Sequence, residues 1–165
     1  MRNSPALNTP TDLGADATRD ISAAMNALLA DVYALHIKIM NFRWHMSGPH
    51  FRDYQAMLQD HALQLHASTA SIAERVRAIG ASTLHSIGDI SRRQRLLDND
   101  ADYVTPSAML TELRNDNQQL AAYLRETHDV CEEHGDVASA NLTERLLDES
   151  ERRIWQLFEA TRVSE

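Results

Sequence analysis

Between residues 13 and 46 the apolar positions Ile21, Met25, Leu28, Leu29, Val32, Leu35, Ile39 and Phe42 follow one another in steps of three and four. That is the spacing of one face of an α-helix. Thr11 or Asp12 offers a side-chain oxygen to cap its start. Gly48 is placed to end it as a left-handed residue, and Pro49 restarts the chain. A second helical period covers 51–79, with Phe51, Tyr54, Leu58, Leu65, Ile72, Val76 and Ile79 as its apolar set and Gly80 as its stop. The pattern then weakens. Ile87, Ile90, Leu96 and Leu97 predict a short helix over 87–97, followed by the acidic run Asp98-Asn99-Asp100-Ala101-Asp102. Thr105-Pro106 is a strong helix start, because proline at the first helical position loses no needed donor. A third long helix is predicted over 106–133, and a fourth from the Asp136 cap to about 161. Leu142, Leu146, Leu147, Ile154, Trp155 and Phe158 are the expected buried face of the fourth. Residues 1–11, polar and carrying Pro5 and Pro10, read as a flexible tail, and 12–162 as one domain.

Four long helices, one short one and no strand pattern predict an all-α four-helix bundle. The stretch between the second and third long helices is too long for a hairpin, where ~2–8 residues suffice. It fits one crossover connection carrying its own short helix, as ferritin-like bundles have.

Composition narrows the functions. Glycine and proline total nine residues, five and four, so little interrupts helix formation. The net charge of −8 argues against strong sequence-independent DNA binding, which depends on cations neutralising phosphates. Lys38 is the one lysine, the tails add only Arg2 and Arg162, and Arg92, Arg93 and Arg95 read as a solvated helix face. The single cysteine, Cys131, excludes an internal disulfide and reads as a small core residue. No apolar run approaches the ~20 residues of a membrane span and no leader is visible, so the expected location is cytoplasmic.

Bundles build metal sites from inward Glu and Glu-x-x-His residues. Glu144, Glu149 and Glu151 have no histidine three residues on, and the first helix has His36 but no glutamate. A di-iron centre inside one bundle is therefore not expected. Trp44, Met40 and Met57 read as core packing rather than a redox cluster.

A different arrangement occupies residues 41–80. Asn41-Phe42-x-Trp44, Gly48-Pro49-His50-Phe51 and Ile72-Ala73-Glu74-Arg75, with the short helix that follows and Trp155 near the end, resemble the Dps-like mini-ferritins (the DNA-binding protein from starved cells family of the ferritin-like superfamily). The resemblance spans nearly all of 13–162. It implies hollow dodecamers that oxidise Fe²⁺, store iron and protect against oxidative stress, in many members while also coating DNA. It also implies a ferroxidase site shared between two subunits. That site's His, His and acid positions in one subunit, and its Asp and Glu positions in the other, fall here on Arg43, Gln55, Gln59, Ala70 and Glu74. Only Glu74 keeps a family ligand. Arginine stays protonated and cannot donate an electron pair to iron, glutamine is a weak neutral ligand, and alanine offers none. Ferroxidase activity is expected to be lost or weak, and Arg43 is expected to meet Glu74 of a second subunit as an ion pair.

Alternatives stay open at this point. Gln55, Gln59, His66, Ala70 and Glu74 share one stripe of the second helix. His66 therefore offers a displaced metal ligand beside Glu74, or near its own symmetry mate, for a still-working iron-storing ferroxidase. His45 and His50 flank the Gly48 turn as surface residues or as a metal pair. The family's acidic iron-entry pore maps near Glu132, Asp136 and Asn141, where those acids read equally as solvated helix ends. The partners implied are copies of the same chain, with mixed shells alongside a competent paralogue as a further possibility, and DNA compaction is the weakest reading.

Overall fold

The computed structural model describes residues 4–162. Among them lie five α-helices and no strand: α1 (Ala15–Trp44), α2 (Phe51–Ala78), α3 (Ile87–Arg93), α4 (Pro106–Glu133) and α5 (Val137–Thr161). This is the expected four-helix bundle with a short helix in the long connection. α1 packs along α2 and α4 along α5, while α1 also faces α4, α2 faces α5, and α3 rests on α1. Ile21, Met25, Leu28, Leu35, Ile39, Leu58, Ile72, Val76, Leu110, Leu113 and Leu157 are all sealed from solvent in one continuous core.

The helix ends follow local chemistry. Thr105 accepts from the Ala108 amide, Asp136 from the Ser139 amide and Ser86 from the Asp89 amide, each satisfying an orphan donor of a first turn. α1 departs from expectation. It starts after Gly14 without a side-chain cap, while Thr11 accepts from the Leu13 amide one step earlier. It also ends at Trp44, so Gly48 (φ +100°) serves the turn into α2 rather than the helix terminus itself. Gly80 takes φ +92°, and a Cβ there would lie 3.1 Å from the Thr9 carbonyl oxygen, so only glycine closes α2 at this point. From Ser4 onward the expected tail contacts the bundle. Pro5–Leu7 forms a 3-10 turn, and Arg77 donates to the Leu7 carbonyl at 2.9 Å.

The α2–α4 connection runs up the side of α1. Asn26 donates to the Ser82 carbonyl and accepts from Thr83, and Asn41, fifteen residues further along α1, donates to the Asn99 carbonyl. Between them lies Asp31, whose carboxylate is 0% exposed. It accepts from the Arg95 and Leu96 amides at 2.6 and 3.0 Å and pairs with the Arg95 guanidinium at 2.7 Å. This explains why the short helix stops at Arg93 rather than reaching 97: the following amides bond a side chain instead of continuing the helix. Ile87 and Leu97, read as part of that helix's apolar pattern, are 84% and 79% exposed. Asp31→Ala would strand two amides and a guanidinium. A loss of about 2–3 kcal/mol is expected in urea unfolding of the full-length protein, and a change below ~0.5 kcal/mol would mean the connection is not anchored there.

Three further expectations are corrected. Trp155 and Phe158 are 62% and 43% exposed. Leu146 is buried and Leu142 and Leu147 pack against the core as expected, but the rest of the buried stripe of α5 is Ala140, Thr143, Ser150, Arg153 and Leu157. Trp44 is 62% exposed rather than core, although Met40 and Met57 do pack against the core. Finally, α1 is long and apolar enough to cross a membrane by composition, contrary to the reading of unbroken runs alone. More than half of its most apolar window is buried against the other helices of the bundle.

Candidate functional site

The short turn between α1 and α2 folds the two helices back along each other and sets their ends in register. At that corner the Gln55 side-chain amide donates to the Arg43 carbonyl at 3.3 Å. Arg43 and Gln55, read from sequence as two positions of one site, are thus brought together. Gln59 follows one turn along α2, half-buried like Gln55. Ala70 and Glu74 lie further along α2 and are exposed. Glu74 forms no ion pair among the described residues. The Arg43 Nε is buried without a hydrogen-bond partner among them. Leaving such a donor unmatched costs about 1–3 kcal/mol, more when it is charged.

Two turns before Arg43, His36 faces His66 of α2, with ring centroids 5.5 Å apart. The His36 Nδ1 lies 3.1 Å from the Ala62 carbonyl oxygen. A carbonyl only accepts, so Nδ1 carries the proton and Nε2 is left with a free lone pair. Burial holds the His36 imidazole below its ordinary range, against the raising effect of the Ala62 bond, and His66 adds to the lowering. His66 itself is exposed.

The interior of the bundle is taken by cations. Lys38 is buried and pairs with Asp116 at 2.8 Å and Glu112 at 3.3 Å. Burial raises the Asp116 carboxyl above its ordinary range more than the Lys38 hydrogen bond lowers it. Arg153, also buried, donates to Asn117 Oδ1 at 2.8 Å and Gln64 Oε1 at 2.6 Å, and burial brings it down to about 10. Sequence reasoning passed over both. The signal was their phase: Lys38 falls three residues after Leu35, and Arg153 between Leu146 and Leu157, on the apolar faces of their helices. Two fixed positive charges oppose a metal cation in the same space.

The remaining candidates separate. Asp136 is buried, caps α5 and pairs with Arg75 at 2.8 Å, so it presents no free acid to a pore. Glu132 and Asn141 are exposed. His45 Nδ1 lies 2.8 Å from the Asn41 carbonyl and side-chain oxygens, while His50 lies against Tyr54, so each is engaged apart from the other. The His61 Nε2 bonds Gln156 at 2.7 Å, and burial lowers that imidazole. Arg92 and Arg93 pair with Asp89, and Arg95 pairs with Asp31 and stacks 3.7 Å from the Tyr123 ring centroid. The expected solvated basic face is therefore largely neutralised by carboxylates. Cys131 is buried as expected, its thiol pushed up to about 11 chiefly by that burial. Among the described residues, no group of three or more His, Cys, Asp or Glu side chains is arranged to hold a metal ion. Arg43, Gln55, Gln59 and Ala70 offer no donor set that fits an iron ion within one chain.

The sequence matches the ferritin-like domain over residues 22–162. It is 30% identical over 134 residues to the uncharacterized low temperature-induced protein all0458 of Nostoc sp., covering 81% of this chain and 75% of that one. It is 26% identical over 149 residues to the DNA protection during starvation protein of Agrobacterium fabrum, covering 90% and 92%. The Dps protein of Vibrio cholerae O1, described as a member of a broad superfamily of ferritin-like diiron-carboxylate proteins, superimposes with a TM-score of 0.88 at 20% identity over 98% of this chain and 100% of that chain.

Proposed function

This chain belongs to the ferritin-like domain family, as a Dps-like mini-ferritin, and from that premise we propose that it is a shell-forming subunit whose intersubunit iron-oxidation position has been closed by replacement of its ligands. The observation that carries the reading is Arg43. It stands at the α1–α2 corner where an electron-pair donor is needed, its backbone carbonyl accepting from Gln55, with a buried Nε that lacks a partner among the described residues. A carboxylate from a second copy answers that donor, and Glu74, exposed and without an ion pair among the described residues, is the group the stripe offers. The pair takes the place a bridging metal would hold. Its contribution is to orientation more than stability, since desolvation offsets much of the Coulomb gain.

The register of that contact fixes a two-fold. Gln55 opposite Glu74, and Gln59 opposite Ala70, place the axis midway along α2, between residues 64 and 65. The exposed apolar side chains Ile37, Trp44 and Leu63, at 61%, 62% and 57%, belong to α1 and α2. They give an assembly something to bury. We take the assembly to be the dodecamer of the resemblance, located in the cytoplasm, with Fe²⁺ as cargo rather than resident cofactor. Co-assembly with a ligand-complete paralogue would place one silent half-site opposite one competent half-site. The alternative, a working centre from Glu74 and His66, lacks a third donor among the described residues.

Stopped-flow absorbance after mixing Fe²⁺ and peroxide with the native protein tests the reading. Oxidation at the rate of protein-free buffer is expected, and a fast protein-dependent phase would overturn it. Light scattering of the same sample should give one large, uniform assembly; a monomer would remove the shared site altogether. No retardation of DNA is expected at low salt, given the charge of −8.

A further inference from the structure

We propose that His36 and His66 form a seat for a borderline divalent cation of the Zn²⁺ type, separate from the Arg43 corner. Two imidazoles on one tetrahedral ion, with metal–nitrogen bonds of ~2.0–2.1 Å, hold their ring centroids about 5.2 Å apart. The observed separation is 5.5 Å with the rings tilted by 38°, within a few tenths of an ångström of that spacing. The tautomer is already set. Ala62 takes the Nδ1 proton of His36 through its carbonyl, as an outer partner does for a ligating histidine, and directs Nε2 away from that bond. His66 supplies the second donor from the exposed side of α2. Neither imidazole is ion-paired to a carboxylate among the described residues, so neither lone pair is lost to a proton held there. Imidazole suits Zn²⁺, Cu²⁺, Ni²⁺ and Co²⁺ better than Mg²⁺ or Ca²⁺, which want hard oxygen ligands.

The number of donors points to sharing, and this step rests on the two-fold reading above. Two imidazoles are half of a tetrahedral set. With the axis between residues 64 and 65, His66 and its mate lie three residues apart along antiparallel helices. At ~1.5 Å per residue that is about 4.5 Å. The pair and its mate then offer four imidazoles around one point.

Tag-free full-length protein titrated with Co²⁺ tests the seat, because tetrahedral nitrogen coordination gives intense visible absorption that octahedral aqueous Co²⁺ lacks. Uptake with that spectrum is expected, competed by Zn²⁺. It should fall at least about tenfold in affinity in His66→Gln and in His36→Gln, a scale that loss of outer partners alone can reach. His45→Gln should leave it unchanged. One ion per two chains would support both the seat and the two-fold. One ion per chain, still lost in His66→Gln, would support the seat and reject the two-fold. Absent tetrahedral absorption, or uptake indifferent to His66→Gln in a variant with native circular dichroism, would overturn the seat.

Discussion

The four-residue variant Arg43→His, Gln55→His, Gln59→Asp, Ala70→Asp is expected to oxidise Fe²⁺ at least about a hundredfold faster than the native protein. Changes to groups that only support metal ligands already alter activity about 10–100-fold, and here the ligands themselves are restored. The backbone is prepared for them. α1 packs along α2 through the core, independently of the Gln55 side chain that the variant replaces, and Gln59 sits one turn on from residue 55 along the same stripe. Removing the Arg43 guanidinium also removes a positive charge from the position proposed for Fe²⁺. Groups that act as a unit are not additive. Arg43→His alone therefore gains little, because one imidazole and Glu74 do not complete a set. Stopped-flow kinetics on intact assemblies of native, single and fourfold variants check this. A fourfold variant that assembles and stays silent would show that these positions do not converge across the interface.

Lys38→Met is expected to cost on the order of 3 kcal/mol at pH 7, the low end for breaking a buried ion pair. Lys38 is 5% exposed at its side chain and Asp116 15%, so the methionine leaves a carboxylate with little water and no cation. Glu112, at 35%, loses less. The sign of the pH dependence follows from Asp116. Its folded-state carboxyl already titrates above the ordinary 3.8, because burial outweighs the help from Lys38. A raised carboxyl favours the folded state when protonated, and that advantage is lost as pH rises through the folded value. Lys38→Met raises it further, so the variant's deficit is largest at neutral pH and narrows on acidification towards 3.8. Lys38→Met with Asp116→Leu should recover most of the loss, since the paired replacement leaves only the partly exposed Glu112 without its cation. Urea titrations at fixed protein concentration, at pH 7 and pH 5, check all three statements, because assembly makes stability concentration-dependent. An equal deficit at both pH values would contradict the assignment to Asp116.

The long helices were legible because their periods and stops are local: Thr105-Pro106, Asp136 and Gly80 each do alone what the chain needs. The short helix was misjudged at its end because Asp31, over sixty residues away, takes the amides that would have extended it. The α5 face was shifted because Trp155 and Phe158, apolar in sequence, lie outward, while the polar Arg153 and Ser150 lie inward with partners on α4, and Thr143 lies inward donating to the Ala140 carbonyl of its own helix. Hydrophobicity reports what prefers burial, not what an assembly will later cover. The same limit applies to the site. The residue types at 43, 55, 59 and 70 are plain in the sequence and carry the proposal of a closed site, but the His36–His66 contact depends on how α1 and α2 pack, which no motif encodes. Asp136, an apparent pore acid by position, is the cap of α5 and the partner of Arg75.

In the proposed assembly a charged pair stands where iron would bridge two subunits. An anomalous difference map from crystals of the native assembly soaked in Fe²⁺, collected at the iron edge, tests it most directly. No iron peak is expected among Arg43, Gln55 and Gln59 of one copy and Glu74 of the next, with the Arg43 guanidinium within ~4 Å of that carboxylate. An iron peak ligated at that position would contradict it.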